Sequence, residues 1–356
     1  MADPGGAPDG AAKSDHGGGT LPVAVDAMGG DRAPEEIVAG TLQAADAGLP
    51  VVLVGDPARL GDTGSVPVVE ASEVIEMDED PARAVRTKKD SSLVRAAEAV
   101  RDARAAAMVS AGNTGAAMAS ALFRMGRIAG VARPAIATAI PVPGSTPTVL
   151  LDSGANVECS AAWLVQFAQM GAAFARQRFG IAAPRVGLLS IGEEAVKGNP
   201  LVKEVYGLLE AGHGGPAVTF IGNVEGRDVM SDRVDVVVTD GFTGNVVLKT
   251  LEGAMKTVFD AVLGAFTATE ETKAASKIMV PALMPIVAEL DPDTHGGAML
   301  LGVDGVCVIS HGSSSARAIF NAIGVAHHAV SEGLVDQLRA AVGATAGAAA
   351  GAARYG

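Results

Sequence analysis

One arrangement recurs along this chain and limits what it can fold into: a short apolar run, a small polar loop containing glycine, then a helical pattern. It occurs as Asp26-Ala27-Met28-Gly29-Gly30-Asp31, as Ser110-Ala111-Gly112-Asn113-Thr114-Gly115 and as Asp152-Ser153-Gly154-Ala155-Asn156. It returns as Ser190-Ile191-Gly192-Glu193-Glu194, as Thr239-Asp240-Gly241-Phe242-Thr243-Gly244-Asn245 and as Ser310-His311-Gly312-Ser313-Ser314-Ser315. Strands that alternate with helices in this way form right-handed βαβ units, so the expected fold is α/β, a three-layer α/β/α sandwich around a mostly parallel sheet. Aromatic residues are only 3% of the chain. The core must then be built from Val, Ile, Leu, Ala and Met, which suits a parallel sheet covered on both faces.

The pattern predicts strands over Leu21–Asp26, Pro50–Gly55, Ala107–Ser110, Ala135–Ile140 and Thr148–Leu151. Further strands are expected over Arg185–Ile191, Ala217–Ile221, Val234–Thr239 and Gly305–Ser310. Helices are expected over Pro81–Arg104, Thr114–Met125, Ser160–Phe179, Pro200–Leu209, Gly244–Phe266 and Ser314–Val330, with Pro34 opening an earlier helix at its first position and Gly48 closing it. Residues 1–20 read as a low-complexity, disordered tail and 21–335 as one catalytic domain with a cleft between two lobes. The Ala/Gly stretch 340–356 reads as a second low-complexity tail with a frayed end. Two apolar limbs near 253–290 read as a helical hairpin: Met255, Val258, Val262, Leu263 and Phe266 on one, Ile278, Met279, Val280, Leu283 and Met284 on the other. Core packing, a dimer interface and a tip that dips into lipid are all open to it.

Lys and Arg total 27 against 40 Asp and Glu, a net charge of −13. With so few aromatic rings, this argues against a nucleic-acid partner. Cys159 and Cys307 are far apart and form no CxxC, so two reduced thiols are expected. The N-terminal stretch has no apolar core of a signal peptide, and Pro281 and Pro285 interrupt the longest apolar run. A cytoplasmic protein is expected. The histidines show no metal-ligand spacing, and no metal or cofactor is expected.

In an open parallel sheet, ligands bind beyond the carboxyl ends of the strands. The six loops are therefore expected to converge on one crevice, where free amides and helix N-termini suit phosphate. None is a Walker A motif, a GxGxxG fingerprint or a GxSxG elbow. Each loop taken alone also reads as an ordinary turn with a helix cap, Asn113, Ser313 and Thr243 being good caps. Lys197, in Lys197-Gly198-Asn199-Pro200, offers a point charge to phosphate or an oxyanion, or pairs with Glu193 or Glu194 at the surface. His311 reads equally as an acid for a leaving group and as a loop-bonding histidine. The basic run from Arg83 to Lys89, followed by Asp90, Ser91 and Ser92, reads as a solvated face or as a seat for an anion or an acidic protein.

The order DAMGGD, AVRTKKDSSL, SAGNTGA, LLDSGANVEC, IGEEAVKGNP, TDGFTGN and HGSSSARAI resembles the phosphate acyltransferases of bacterial phospholipid synthesis, the PlsX family, from about Leu21 to Ile323. The resemblance implies an isocitrate/isopropylmalate dehydrogenase-like fold and a homodimer peripherally associated with the membrane. It implies a reversible reaction in which inorganic phosphate takes a fatty acyl group from acyl carrier protein, giving acyl-phosphate for a membrane glycerol-3-phosphate acyltransferase. On that reading Asn113, Thr114, Gly115, Ser313 and Ser314 bind phosphate, with Lys197, His311 and Asn113 as the catalytic candidates. Asp26, Lys88, Lys89, Ser91, Asp152, Asn156, Asn199, Asp240 and Asn245 complete the cleft, Lys88 and Lys89 facing phosphate or the phosphopantetheine arm. The carrier protein is acidic, so it is expected to meet Arg83, Arg86, Lys88, Lys89 and Arg95, or alternatively Arg124, Arg127 and Arg133. A dehydrogenase of the same fold and a non-catalytic membrane-surface scaffold are the rivals. The first requires clustered metal-binding carboxylates and a dinucleotide pocket, neither visible in the sequence, and the second leaves the polar loops without a purpose.

Overall fold

Apolar runs bounded by Gly, Pro or Asp become short strands, and the amphipathic stretches between them become helices that cover the sheet. The structure, a computed structural model, describes residues 20–352. The sequence reading of the N-terminal tail lies almost wholly outside those residues, as does the extreme C-terminus. The elements are β1 (Val23–Asp26), α1 (Glu35–Asp46), β2 (Val51–Gly55), β3 (Val68–Glu70), α2 (Pro81–Thr87), α3 (Ser92–Arg101) and β4 (Ala107–Ser110). They continue as α4 (Thr114–Arg124), β5 (Ala135–Ile140), β6 (Thr148–Leu151), α5 (Ala161–Phe179), β7 (Arg185–Leu189), α6 (Pro200–Glu210) and β8 (Thr219–Val224). The last are β9 (Val236–Val238), α7 (Gly241–Thr267), α8 (Glu270–Leu290), β10 (Ala298–Leu301), β11 (Val306–Ile309), α9 (Ala316–Ser331) and α10 (Leu334–Ala352).

All the strands join one 11-stranded sheet in the order β3-β2-β1-β4-β11-β10-β5-β6-β9-β7-β8. Side chains alternate across it, as the pleat requires. Val23 and Val25 face the layer made by α1, α5, α6, α9 and α10, whereas Ala24 and Met108 face α2, α3 and α4. Leu150 and Val237 meet the first turns of α7. The expected three-layer sandwich is thus present.

Several local expectations change. The helix expected over Pro81–Arg104 is two helices, because Lys88 ends α2 and the buried Ser91 caps α3 through Val94 N. Asp90, at the break, is held by the Ser72 amide and hydroxyl at 3.0 and 2.6 Å. Pro34 is the residue before α1 rather than its first position. Strands β3 and β10 were not anticipated; β10 lies antiparallel between β11 and β5. The helix α10 continues to Ala352 instead of fraying at Ala340, and Leu334, Leu338 and Val342, four residues apart, are buried in the core.

Sheet direction decides where the loops go. β1, β2, β3, β4 and β11 are mutually parallel. Three antiparallel pairings follow, β11 with β10, β10 with β5 and β5 with β6. An odd number of reversals leaves β6, β9, β7 and β8, parallel among themselves, running opposite to the first group. The carboxyl ends of the two groups therefore lie on opposite edges of the sheet.

Candidate active site

Three loops meet at the first edge, after β1, β4 and β11. Gly29 is so close to its neighbours that a Cβ there would lie 2.5 Å from Asp26 Oδ2 and 2.9 Å from both Cα and N of Gly112. Gly30 has a φ of 115°, and Asp31 N donates to Gly312 O at 2.8 Å. Backbone from all three loops is thus knitted together, which glycine alone permits. Asp26, 1% exposed, organises the junction: Ser110 Oγ donates to its Oδ2 at 2.7 Å, and the Ser92 hydroxyl and the Met28 and Gly29 amides also bond it. Burial lifts the Asp26 carboxyl above its usual range, against the pull of those bonds. The Ser92 and Ser110 partnership was not singled out from sequence, although both residues stand beside loops that were.

Two helices begin at this junction, α4 at Asn113 and α9 at Ser315. Asn113 Oδ1 accepts from Ala116 N at 3.0 Å, and its Nδ2 donates to Met77 O at 2.9 Å. At 9% exposure, its side chain is committed to capping α4 and pinning the 77–79 segment. Thr114 and Ser313 are exposed and Gly115 is half-buried, while Ser314 is buried. Ser310 Oγ is buried with no hydrogen-bond partner among the described residues. His311 Nδ1 lies 2.8 Å from Ser313 Oγ and accepts from Ser313 N at 3.3 Å. That bonding assigns the proton to Nε2, which makes no hydrogen bond among the described residues. The loop-bonding role of His311 and its availability as a hydrogen-bond donor therefore coexist on different nitrogens.

Lys88 is committed elsewhere. Its ammonium pairs with Glu79 and donates to Val74 O at 2.7 Å, away from any phosphate role. Lys89 is exposed and lies beside Phe123. Ser91 caps α3. The caps of α9 and α7 are Ser315 and Asp240, in place of the expected Ser313 and Thr243.

The remaining loops occupy the opposite edge. Asp152 is fully buried; its oxygens accept from the amides of Ile136, Gly154, Ala155 and Asn156 and from Asn156 Nδ2. Burial raises this carboxyl too. Asn245 sits against Gly154, and Asn199 caps α6 through Val202 N at 2.9 Å. Lys197 is exposed and in no ion pair among the described residues. Glu193, offered above as its partner, pairs with Arg233 at 2.6 Å and with Arg227. The expectation that strand topology carries Asn113 and Lys197 to one edge fails, because β4 and β7 run in opposite directions. No hydrogen bond or ion pair joins the two loop groups among the described residues.

Other features narrow the chemistry. Burial pushes the Cys159 thiol up to about 11 and Cys307 to about 12, so neither is a thiolate nucleophile near neutral pH. Among the described residues no cluster of His, Cys, Asp and Glu could hold a metal ion. The α7–α8 hairpin buries only Gly241 and Gly244, and Val258, Phe259, Ile278, Met279 and Met284 are exposed. Its apolar stripes are therefore not part of the chain's own core. No helix of the described residues is long and apolar enough to cross a membrane.

With this geometry, likeness to known proteins is informative. The model of the fatty acid synthesis protein family matches residues 21–337. The phosphate acyltransferase of Pelotomaculum thermopropionicum is 48% identical over 330 residues, covering 90% of this chain and 95% of that protein. That of Desulforudis audaxviator is 49% identical over 326 residues, covering 90% and 96%. Among solved structures, a phosphotransacetylase from Streptococcus pyogenes superposes with a TM-score of 0.60 at 17% identity, over 88% of this chain and 95% of that one. A 4-hydroxythreonine-4-phosphate dehydrogenase from Klebsiella pneumoniae gives 0.52 at 14% identity, over 87% and 100%. At such identities these two show a shared fold and nothing more.

Proposed function

The chain belongs to the fatty acid synthesis protein family, and from that premise we infer that it is a phosphate acyltransferase, forming acyl-phosphate from fatty acyl-acyl carrier protein and inorganic phosphate. The observation that carries the site assignment is the three-loop junction at the first edge, with the N-termini of α4 and α9 and the exposed Thr114 and Ser313 around it. Helix N-termini and loop amides favour an anion there. In this reading a phosphate oxygen attacks the thioester carbonyl carbon, the tetrahedral oxyanion collapses, and the C–S bond breaks. The carrier thiolate leaves with His311 Nε2 donating a hydrogen bond to its sulfur, and it takes up the proton that the attacking phosphate gives up. Phosphate is itself the nucleophile, so the protein's work is to hold two reactants together and stabilise negative charge.

Lys197 serves such a site only from a second copy of the chain, given its edge. The homodimer this requires is supported by the exposed Ile191 and Val196 beside Lys197, by Val157 and Phe242 on neighbouring loops, and by the exposed hairpin. That hairpin is equally placed to touch a membrane where acyl-phosphate is consumed by a glycerol-3-phosphate acyltransferase. The test is purified chain with palmitoyl-acyl carrier protein and phosphate, the product trapped with hydroxylamine as hydroxamate. Phosphate-dependent hydroxamate is the expected result; its absence, with nicotinamide reduction instead, transfers the chain to the dehydrogenases.

A further inference from the structure

We infer that α2, α4 and the chain just after α4 form a docking surface for the acidic carrier protein, a proposal that rests on the phosphate acyltransferase reading. In a chain with 40 acidic and 27 basic residues, 81–89 and 114–133 contain no Asp or Glu at all. The first stretch carries Arg83, Arg86, Lys88 and Lys89, the second Arg124, Arg127 and Arg133. Far apart in sequence, α2 and the end of α4 are brought together because α2 packs on α4, which sets Arg124 beside the first group. The Arg86 guanidinium lies 5.4 Å from the centre of the Phe123 ring, which is 45% exposed. Val85, Arg86, Lys89, Phe123 and Arg124 line a depression of about 230 Å³. Beyond the end of α4, Arg127, Arg133, Pro134 and Trp163 line another of about 530 Å³, with Arg133 4.9 Å from the Trp163 ring.

The charges on this face are unequal. Lys88 pairs with Glu79, and Arg124 lies 3.4 Å from Glu98. Arg83, Arg86, Lys89, Arg127 and Arg133 have no ion-pair partner among the described residues. Unpaired cations on a net-negative molecule make a local positive field that steers an acidic partner against the overall repulsion. The exposed Phe123 ring and the half-buried Trp163 ring, each beside an arginine, supply the apolar anchors of a protein interface. The position also fits: α4 starts at Asn113 in the candidate phosphate site and ends at Arg124 in this face. A carrier lying along α4 stands beside the loops to which its thioester arm must deliver the acyl group. Of the two arginine groups that the sequence presented as alternatives, Arg124 thus shares the first group's depression, while Arg127 and Arg133 line a neighbouring one around Leu122 of the same helix.

The test compares Arg83→Glu/Arg86→Glu and Arg133→Glu with the parent. KM for palmitoyl-acyl carrier protein is expected to rise about tenfold or more in at least the double variant, and its salt dependence to flatten. KM for phosphate, and turnover of palmitoyl-pantetheine, which has no carrier protein, should stay at parent values. Arg83→Lys/Arg86→Lys should behave as the parent, which separates charge from folding. Unchanged carrier KM in both reversals overturns the surface. So does unchanged carrier KM together with lost binding to phosphatidylglycerol vesicles, which would assign the face to anionic lipid. If the parent forms no acyl-phosphate from either donor, the acyltransferase reading fails. Calorimetric titration with carrier protein then still decides the surface, since equal Kd for parent and double reversal overturns it.

Discussion

Gly29→Ala probes the junction that defines the candidate site. The added methyl would sit 2.5 Å from Asp26 Oδ2 and 2.9 Å from Cα and N of Gly112. Asp26 cannot swing away freely, because that oxygen also holds Ser110 Oγ at 2.7 Å, and the Gly112 contacts are backbone. The loops after β1 and β4 must therefore separate by several tenths of an ångström. Overpacking of this kind costs about 1–3 kcal/mol. At about 2.1 cal/mol/K of unfolding entropy per residue, a chain of this length loses about 1–2 °C of Tm per kcal/mol. The effect on Tm is modest, and the effect on phosphate is expected to be larger. Displaced amides weaken anion binding and misplace the nucleophile, so kcat/KM for phosphate should fall at least about tenfold. The assay is hydroxamate formation across a phosphate titration, beside a thermal melt. Gly207→Ala is the control: Gly207 lies inside α6 with nothing within 4 Å of a Cβ, so alanine should add about 0.5–1 kcal/mol of stability and leave kinetics alone. Parent-like phosphate kinetics in a folded Gly29→Ala enzyme would remove the junction from the site.

His311→Asn should lower kcat by about tenfold to a hundredfold, the loss of one hydrogen bond to the departing thiolate, with phosphate KM little changed; an unchanged kcat assigns His311 to the loop alone. Lys197→Ala should depress kcat/KM for phosphate by about tenfold or more, and mixed dimers with His311→Asn should regain one competent site, whereas no regain argues against a shared site. Asp235 is buried, which by itself raises its carboxyl, but bonds from Arg185 at 2.6 to 3.0 Å hold it below the usual range. Its contribution to stability is therefore complete above the unfolded carboxyl value near 3.8 and fades as pH falls through the lower folded value. Asp235→Asn should cost Tm at pH 7 and progressively less in acid, and a loss independent of pH would contradict this. Leu283→Glu, on the hairpin, should release the protein from anionic vesicles with the melt unchanged; loss of the dimer instead would place Leu283 in an interface.

Local chemistry was legible in the sequence because its causes are local. Strand and helix types follow from period, the cap Asn113 bonds an amide three residues ahead, Ser91 starts a fresh helix, and the glycine loops announce turns that a Cβ forbids, although the caps of α7 and α9 fall on Asp240 and Ser315 rather than on Thr243 and Ser313. The family resemblance rests on the same loops. What the chain order could not reveal is sheet direction. Three antiparallel pairings centred on β10 and β5 reverse the winding, and although β10 is a short apolar run between Gly297 and Gly302, nothing local shows which way it runs. Its direction comes from hydrogen bonds to residues far away in sequence. That reversal separates Lys197 from Asn113 within one chain. Tertiary packing likewise joined Ser110 to Asp26 across 84 residues and gave the Lys88 ammonium to Glu79. It also set Arg124 beside the distant Arg86 and Lys89, because contact between helices depends on how the sheet stacks them rather than on sequence spacing.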